Sequence, residues 1–465
     1  MGIPIPMLDL MFFLSENPDN PRHVGAVLIF QRPRRGGAAV VRRIIEAYRQ
    51  ADPVPPFNRI PVFRRIGLPE WREVARLDMD WHVQHRTLPA PGTDAQLDEL
   101  VADLHAPMLE RDRPGWRVYV IEGLEGDRFA VFIKVHHSLV DGESGIALLH
   151  RTLSRSPRDR RIRTVIETSL PAPAHATPSG LVPRLEHEVA KAARTALSIG
   201  WGSERLLEEG LAGLRGLSRE EIRPFTAPLT AMNDPIHGAR AIVHAVLPLP
   251  AMKAVARAWG TTLNDVALCV LDAAMNRYLR SIGRPAERAL VAICPVSLHD
   301  REVKRATTQV SIFWTPLGTR SASVGRRMRE VMANTRQAKE RIRTLPRDVA
   351  YAYAVLTFLL GETLALVPRG GSDYFLASNV LISNVRGPTE PLYLAGARLE
   401  ALCPVSTLIS GMGLNITFMS YAGQVVIGFT ANASALPDAG RLAQYTREAF
   451  AALERQTRRA RTRSR

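Results

Sequence analysis

An apolar, β-branched and aromatic run from Phe129 to Val135, with one lysine in it, ends in His136-His137-Ser138-Leu139-Val140-Asp141-Gly142. Such a composition predicts a buried strand. Adjacent histidines at a strand end carry their side chains toward opposite faces of the sheet. Gly142 permits a tight turn, and the Ile146-Ala147-Leu148-Leu149 run then starts a helix. A strand, turn and helix in this order hold an imidazole at the mouth of a cleft, where a general base takes a proton from a hydroxyl or thiol. The same residues admit a structural reading: paired histidines also serve as core or interface residues. Asp141 can simply cap the following helix, its carboxylate accepting from free backbone N–H groups.

Other chemistries fit less well. Two histidines on opposite faces of a strand cannot ligate one ion. No His-x-x-x-His or His-Glu-x-x-His pair is present, and Cys269, Cys294 and Cys403 are far apart in sequence, so no metal site is expected. A hydrolase would need a nucleophile elbow, but Gly142-Glu143-Ser144-Gly145, the nearest approach to one, has the wrong spacing. Direct attack by a substrate hydroxyl, with a histidine as base, is what remains.

At 465 residues the chain is long for one core, and two domains are expected. Three dispersed cysteines point to a reducing compartment. The N-terminal segment lacks the charged-then-apolar pattern of a signal peptide, and Pro6 stands where a myristoylation signal has Ser or Thr, so a cytoplasmic location is expected. The longest apolar stretch, Ala350 to Gly361, is stopped by Glu362 and is too short to span a bilayer. The formal charge of +16 invites a nucleic-acid reading, but only five of the 61 basic residues are lysine and the arginines are scattered without interleaved aromatics. No nucleic-acid partner is expected. The dense Arg455–Arg465 cluster reads as a frayed end, and the overall field favours acidic lipid surfaces and phosphorylated substrates.

Two mixed α/β halves emerge along the chain. In the first, His23–Phe30 reads as a strand, Ala38–Ala51 and Gln96–Leu109 as helices, and Arg117–Glu122 with Phe129–Val135 as a hairpin. Ser154–Pro183 reads as a linker and Leu185–Leu217 as a crossover or lipid-facing helix. The second half has helices at Thr262–Leu279, Ser323–Ile342 and Ala439–Leu453. Its strands are Ala289–Pro295, Val310–Thr315, Val380–Val385, Leu414–Tyr421 and Gln424–Thr430. The expected division is 1–160, 161–224 and 225–465.

With the motif, the two halves and the missing nucleophile together, the sequence resembles the bacterial wax ester synthase/diacylglycerol acyltransferase family, within the chloramphenicol acetyltransferase-like superfamily that shares H-H-x-x-x-D-G. The likeness runs nearly end to end. It includes Leu8-Asp9, Phe12-Phe13, His23-Val24-Gly25-Ala26, Asp80-Trp81-His82-Val83, Leu88-Pro89-Ala90-Pro91-Gly92 and Val120-Ile121-Glu122-Gly123-Leu124. In the second half it includes Leu263-Asn264-Asp265-Val266, Pro295-Val296-Ser297, Ser383-Asn384-Val385-Arg386-Gly387-Pro388, Gly413-Leu414-Asn415-Ile416 and Ser420-Tyr421-Ala422-Gly423. Two departures stand out: Gly115 in Pro114-Gly115-Trp116, where the family has Leu, and Arg386, where it has Pro.

The resemblance implies two chloramphenicol acetyltransferase-like mixed-sheet α/β domains with the active site in a tunnel between them. It implies an acyl-CoA-dependent O-acyltransferase with no resident cofactor, acyl-CoA being a co-substrate. The acceptor would be diacylglycerol, or a long-chain alcohol for wax esters, with peripheral attachment to a membrane or lipid body. By the same resemblance His137 is the general base, His136 orients, and Asp141 is structural or orienting. Asn264, Ser383 and Asn384 are candidate substrate contacts, although Asn264-Asp265 equally suits a helix cap. The residues themselves leave two alternatives open: a condensation-type enzyme with another acceptor, and a lipid-binding protein without catalysis, which Gly115 and Arg386 would favour.

Overall fold

The computed structural model describes residues 3–33, 36–64, 67, 69–169, 227–297, 310–319, 323–343, 362 and 376–463. Its framework is two six-stranded mixed sheets with a small third sheet beside the first. The first sheet contains β2 (His23–Gln31), β5 (Val83–Thr87), β6 (Trp116–Leu124), β7 (Arg128–His136), β12 (Tyr393–Leu394) and β13 (Ala397–Val405). They run in the order β12-β13-β2-β7-β6-β5. The second contains β8 (Arg240–Pro248), β9 (Val291–Ser297), β10 (Val310–Pro316), β11 (Val380–Arg386), β14 (Leu414–Tyr421) and β15 (Gln424–Asn432). Its order is β10-β9-β11-β14-β15-β8. The small sheet joins β1 (Ile3–Pro4), β4 (Glu70–Glu73) and β3 (Arg59–Val62).

Strands β12 and β13 come from the second half of the sequence yet complete the first sheet, β13 pairing antiparallel with β2 from Val405↔Gly25 to Arg398↔Gln31. The two lobes therefore exchange chain, and no single cut in the sequence separates the two sheets. The sequence reading did not find these strands, because nothing local indicates which sheet a strand will join.

Local chemistry explains the element ends. The β6–β7 hairpin turns at Gly126 and Asp127, both with positive φ, a geometry glycine adopts freely and Asp tolerates. Helix α1 covers Met7–Ser15, α2 Gly37–Arg49, α3 Met79–His82 and α4 Asp94–His105. α4 starts ahead of the expected Gln96 because Thr93 and Gln96 form a reciprocal capping box. It stops before the expected Leu109, with Pro107 two residues past its end. Helix α5 (Gly142–Thr152) follows the histidine motif, and α6 (Leu249–Ala258), α7 (Leu263–Ser281), α8 (Val324–Arg343) and α9 (Gly440–Arg463) serve the second lobe. α9 runs on to Arg463, so most of the arginine cluster expected to fray is helical. The expected helix at 185–217, the linker beyond 169 and the apolar stretch 350–361 lie outside the described residues.

Each face of the first sheet buries a core. Phe30, Phe129, Val131, Val118 and Trp116 pack with Val40, Val41 and Ile44 of α2. On the other face Phe132, Tyr119 and Ile121 pack with Leu97 and Val101 of α4, together with Ile242 of β8 and Val426 of β15. α4 is thus wedged between the lobes, and His244 of β8 bonds Asp98 of α4 at 2.8 Å across that seam. The lysine inside β7, Lys134, is buried with its ammonium on the carbonyl oxygens of Leu104 (3.0 Å) and Pro107 (2.5 Å) beyond α4. Burial first, and Arg117 second, bring it down to about 7.

Candidate active site

β7 ends at His136, opposite His23 of β2. The chain then turns: the His137 N–H donates to the Arg22 carbonyl at 2.9 Å, and the Leu139 N–H returns to the His136 carbonyl at 3.0 Å. Asp141 is the N-cap of α5, its Oδ1 accepting from the Ser144 N–H at 2.7 Å. The cap fixes where the helix begins, which is earlier than the apolar run alone suggested.

Helix α1 lies across this turn. Phe12 is stacked on His137 with ring centroids 4.3 Å apart and planes 12° from parallel. Phe13 is stacked on His136 at 4.2 Å and 10°. Both imidazoles therefore meet neighbouring residues of one helix, where alternation along the strand alone would have divided them between the two faces of the sheet.

The rings differ in their polar partners. His136 is buried and bonded at both nitrogens, Nδ1 to Ser138 Oγ at 2.6 Å and Nε2 to Glu16 Oε2 at 3.2 Å. Glu16 is held in turn by Arg111 Nε at 2.9 Å. Burial pushes the Glu16 carboxyl up, but the hydrogen bonds and charges of His136 and Arg111 win and leave it below its usual range. His136 is thus anchored at both ring nitrogens. Among the described residues the half-buried His137 has no hydrogen-bonding side-chain partner, and its sealed Nδ1 faces no donor or acceptor beyond the residue's own carbonyl. Its Nε2 bonds to no described residue. Burial, opposed weakly by its own carbonyl and by Asp141, holds the ring below the ordinary imidazole value, so at neutral pH it is an unprotonated base.

Arg22 supports the turn from behind. Fully buried, it bonds Glu362 Oε2 at 2.6 Å, Ser15 Oγ at 3.0 Å and the Leu408 carbonyl. Glu362 also accepts from Ser410, from N–H at 3.2 Å and Oγ at 2.5 Å, so the pair ties the first lobe to the second. Asp9, one turn before Phe12 on α1, lies half-buried near Asp141. Burial first, and the Asp141 charge second, raise its carboxyl to about 7.

The remaining candidates separate. A Cβ built on Gly142 would lie 3.3 Å from Val385 Cγ2, so the end of β11 abuts the motif turn. Ser383 shares the face of Val385, whereas Asn384 registers with Phe418 on the helix-covered face. Ser383 is thereby on the motif side of the sheet and Asn384 is not. Arg386 is exposed on the face of Asn384 and does not line the motif side. In α7 the cap is Thr262 with Asp265, which also binds Thr335 Oγ1 at 2.7 Å. Asn264 takes no part in that cap, and α7 covers the face of the second sheet away from Val385. The structure does not bring Asn264 to His137.

Gly115, one of the two departures from the family pattern, makes a close contact. Its carbonyl accepts from the His136 N–H at 2.7 Å, and a Cβ there would lie 2.9 Å from His136 Cβ. Glu16, Arg22, Arg111, Ser138 and Glu362 were missed in the sequence, their contacts being mostly long-range. Among the described residues no cluster of His, Cys, Asp and Glu could hold a metal ion.

The chain is similar to known proteins. A family model described as the wax ester synthase/diacylglycerol acyltransferase catalytic domain matches residues 6–267, and the C-terminal domain of the same family matches 307–454. A putative diacylglycerol O-acyltransferase of Mycobacterium bovis is 33% identical over 463 residues, covering 96% of this chain and 95% of its own. The probable diacylglycerol O-acyltransferase Tgs4 of Mycobacterium tuberculosis gives the same identity and coverage, 33% over 96% and 95%. Among solved structures, the wax ester synthase/diacylglycerol acyltransferase of Marinobacter aquaeolei superposes with a TM-score of 0.78 at 29% identity, over 98% of this chain and 99% of that one. The first condensation domain of the calcium-dependent antibiotic synthetase shares the fold at a TM-score of 0.57 and 17% identity, over 98% and 96% of the two chains.

Proposed function

The chain belongs to the wax ester synthase/diacylglycerol acyltransferase family, and from that premise we propose that it transfers a long-chain acyl group from acyl-CoA to the hydroxyl of diacylglycerol, and to long-chain alcohols, with His137 as general base. The observation that carries the reading is the contrast between the two histidines: His136 is bonded at both nitrogens, whereas the Nε2 of His137 bonds to no described residue.

The chemistry follows from that nitrogen. Nε2 takes the proton of the acceptor hydroxyl as its oxygen adds to the thioester carbonyl carbon. The tetrahedral intermediate collapses with cleavage of the carbon–sulfur bond, the imidazolium returns the proton to the departing CoA thiolate, and an ester and free CoA remain. A ring held neutral at working pH suits the first step. Holding both substrates against it supplies much of the acceleration. In this reading His136 orients the turn, Asp141 holds the start of α5, and Ser383 on the motif side of β11 is the substrate contact retained from the sequence candidates.

The acceptor is a lipid, and the reading extends to a peripheral position on a lipid surface. Supporting it are the formal charge of +16 and the exposure of Leu14 (70%) and Phe63 (42%) near α1, a pairing that favours anionic interfaces. No helix among the described residues is long and apolar enough to cross a membrane.

The deciding experiment offers palmitoyl-CoA with diacylglycerol, hexadecanol, a polar amine and a sugar, and follows thiol release together with the product. Ester formation with the first two supports the proposal. Turnover confined to the polar acceptors would replace it with a condensation-type activity, and tight lipid binding without thiol release would leave a lipid-binding protein.

A further inference from the structure

We propose that helix α1 is the positioning element of the base, acting on His137 through the stacked ring of Phe12. The inference rests on His137 being the base. Asp9, Phe12, Phe13 and Glu16 are spaced i, i+3, i+4 and i+7, a single stripe along α1 and its C-cap. Each meets the motif: Asp9 faces Asp141, Phe12 His137, Phe13 His136, and Glu16 His136 again.

The stripe is itself fixed in place. Arg111 donates to Glu16 Oε1 at 2.9 Å and to the Phe13 carbonyl at 2.6 Å, and the Glu16 N–H closes the helix onto the Phe12 carbonyl at 3.1 Å. These bonds hold the end of α1, and with it the Phe12 backbone, in place beside the turn.

A histidine base is commonly oriented by a carboxylate or carbonyl on its second nitrogen. Here no other described residue bonds the Nδ1 of His137. The flat contact with Phe12, at 4.3 Å and 12°, lies against the face of the ring, and a stacked contact does not occupy the in-plane position of Nε2. Once the ring takes the acceptor's proton it becomes a cation over an aromatic face, an attraction stronger in the charged state than in the neutral one. Phe12 therefore sets orientation before the proton moves and favours the charge afterwards. The sulfur chain of Met or the branched chain of Leu would fill the same space without providing that face.

The test compares Phe12→Met, Phe12→Leu and Phe12→Tyr with the wild type, taking kcat and KM for palmitoyl-CoA with diacylglycerol as acceptor, and a melting temperature for each variant. Phe12→Met and Phe12→Leu are expected to lose about tenfold or more in kcat with KM within about twofold, and Phe12→Tyr to stay within about threefold of wild type. Ring-free variants that keep kcat within about twofold, or that raise KM alone, overturn the inference. So does a Phe12→Tyr enzyme as slow as Phe12→Met at the same melting temperature. His137→Ala is assayed beside them: an active His137→Ala enzyme removes the base itself, whereas an inactive one with an unimpaired Phe12→Met removes only the role of α1.

Discussion

Gly115 and His136 approach so closely that a single methyl on Gly115 would stand 2.9 Å from His136 Cβ. The contact is between one backbone and the root of an anchored imidazole, and neither can yield cheaply. Gly115→Ala is therefore expected to cost about 1–3 kcal/mol of stability by overpacking. It should also lower turnover by displacing the His136–Ser138–Glu16 set. Thermal unfolding and thiol release measured together check this, and an alanine variant unchanged in both would show that the turn relaxes freely.

The Asp141 side chain has one hydrogen bond among the described residues, accepted from the Ser144 N–H at the start of α5. Asn accepts that bond as well as Asp does, whereas Ala cannot. Asp141→Ala is expected to lose about 0.5–2 kcal/mol, with Asp141→Asn nearly unchanged. Activity should follow the same order. A loss as deep in Asp141→Asn as in Asp141→Ala would move the role of this residue from the cap to its charge.

Much of this was legible in the sequence where the signal was local. The histidine run, the β6–β7 and β14–β15 hairpins and the α7 start at Thr262 all rest on neighbours within a few residues. What escaped was non-local. Glu16 meets His136 across 120 residues of chain and Arg22 meets Glu362 across 340. β13, with Arg398, Glu400 and Pro404 among its nine residues, shows only a broken alternation and joins a sheet begun near residue 23. The stripe on α1 was hidden for another reason: Met7–Ser15 is apolar nearly all round, so no face of it announces a partner. The strands of the small sheet, two to four residues each, are too short to give a pattern.

His137, the proposed base, titrates below the ordinary imidazole value because burial penalises its charged form. Acyl transfer requires the neutral ring, so kcat/KM should rise with pH through an acid limb lying below 6.5 and be level from there to pH 8. A rate profile at constant ionic strength measures it. A limb at or above 6.5 would show a ring exposed to water or stabilised as the cation.

Asp9 carries the opposite sign. Its carboxyl ionises near 7 in the folded chain against 3.8 for an ordinary Asp side chain, so between those values the folded state holds a proton the unfolded state has lost. Stability is then fully present below about 4 and declines as pH rises through 7. Asp9→Asn removes the decline and should gain on wild type between pH 4 and pH 8, by about 4 kcal/mol at most. Chemical denaturation at the two pH values reads the difference, and a constant offset between the two proteins would rule the linkage out.

One ring nitrogen is asked to do the chemistry, and its removal is the most direct test. Palmitoyl-CoA thiol release with diacylglycerol is measured for wild type and His137→Ala at matched protein concentration, with melting temperatures to confirm that both are folded. The account predicts that transfer falls to the acceptor-free background while the melting temperature stays close to wild type. Turnover near the wild-type rate in the folded variant would contradict it.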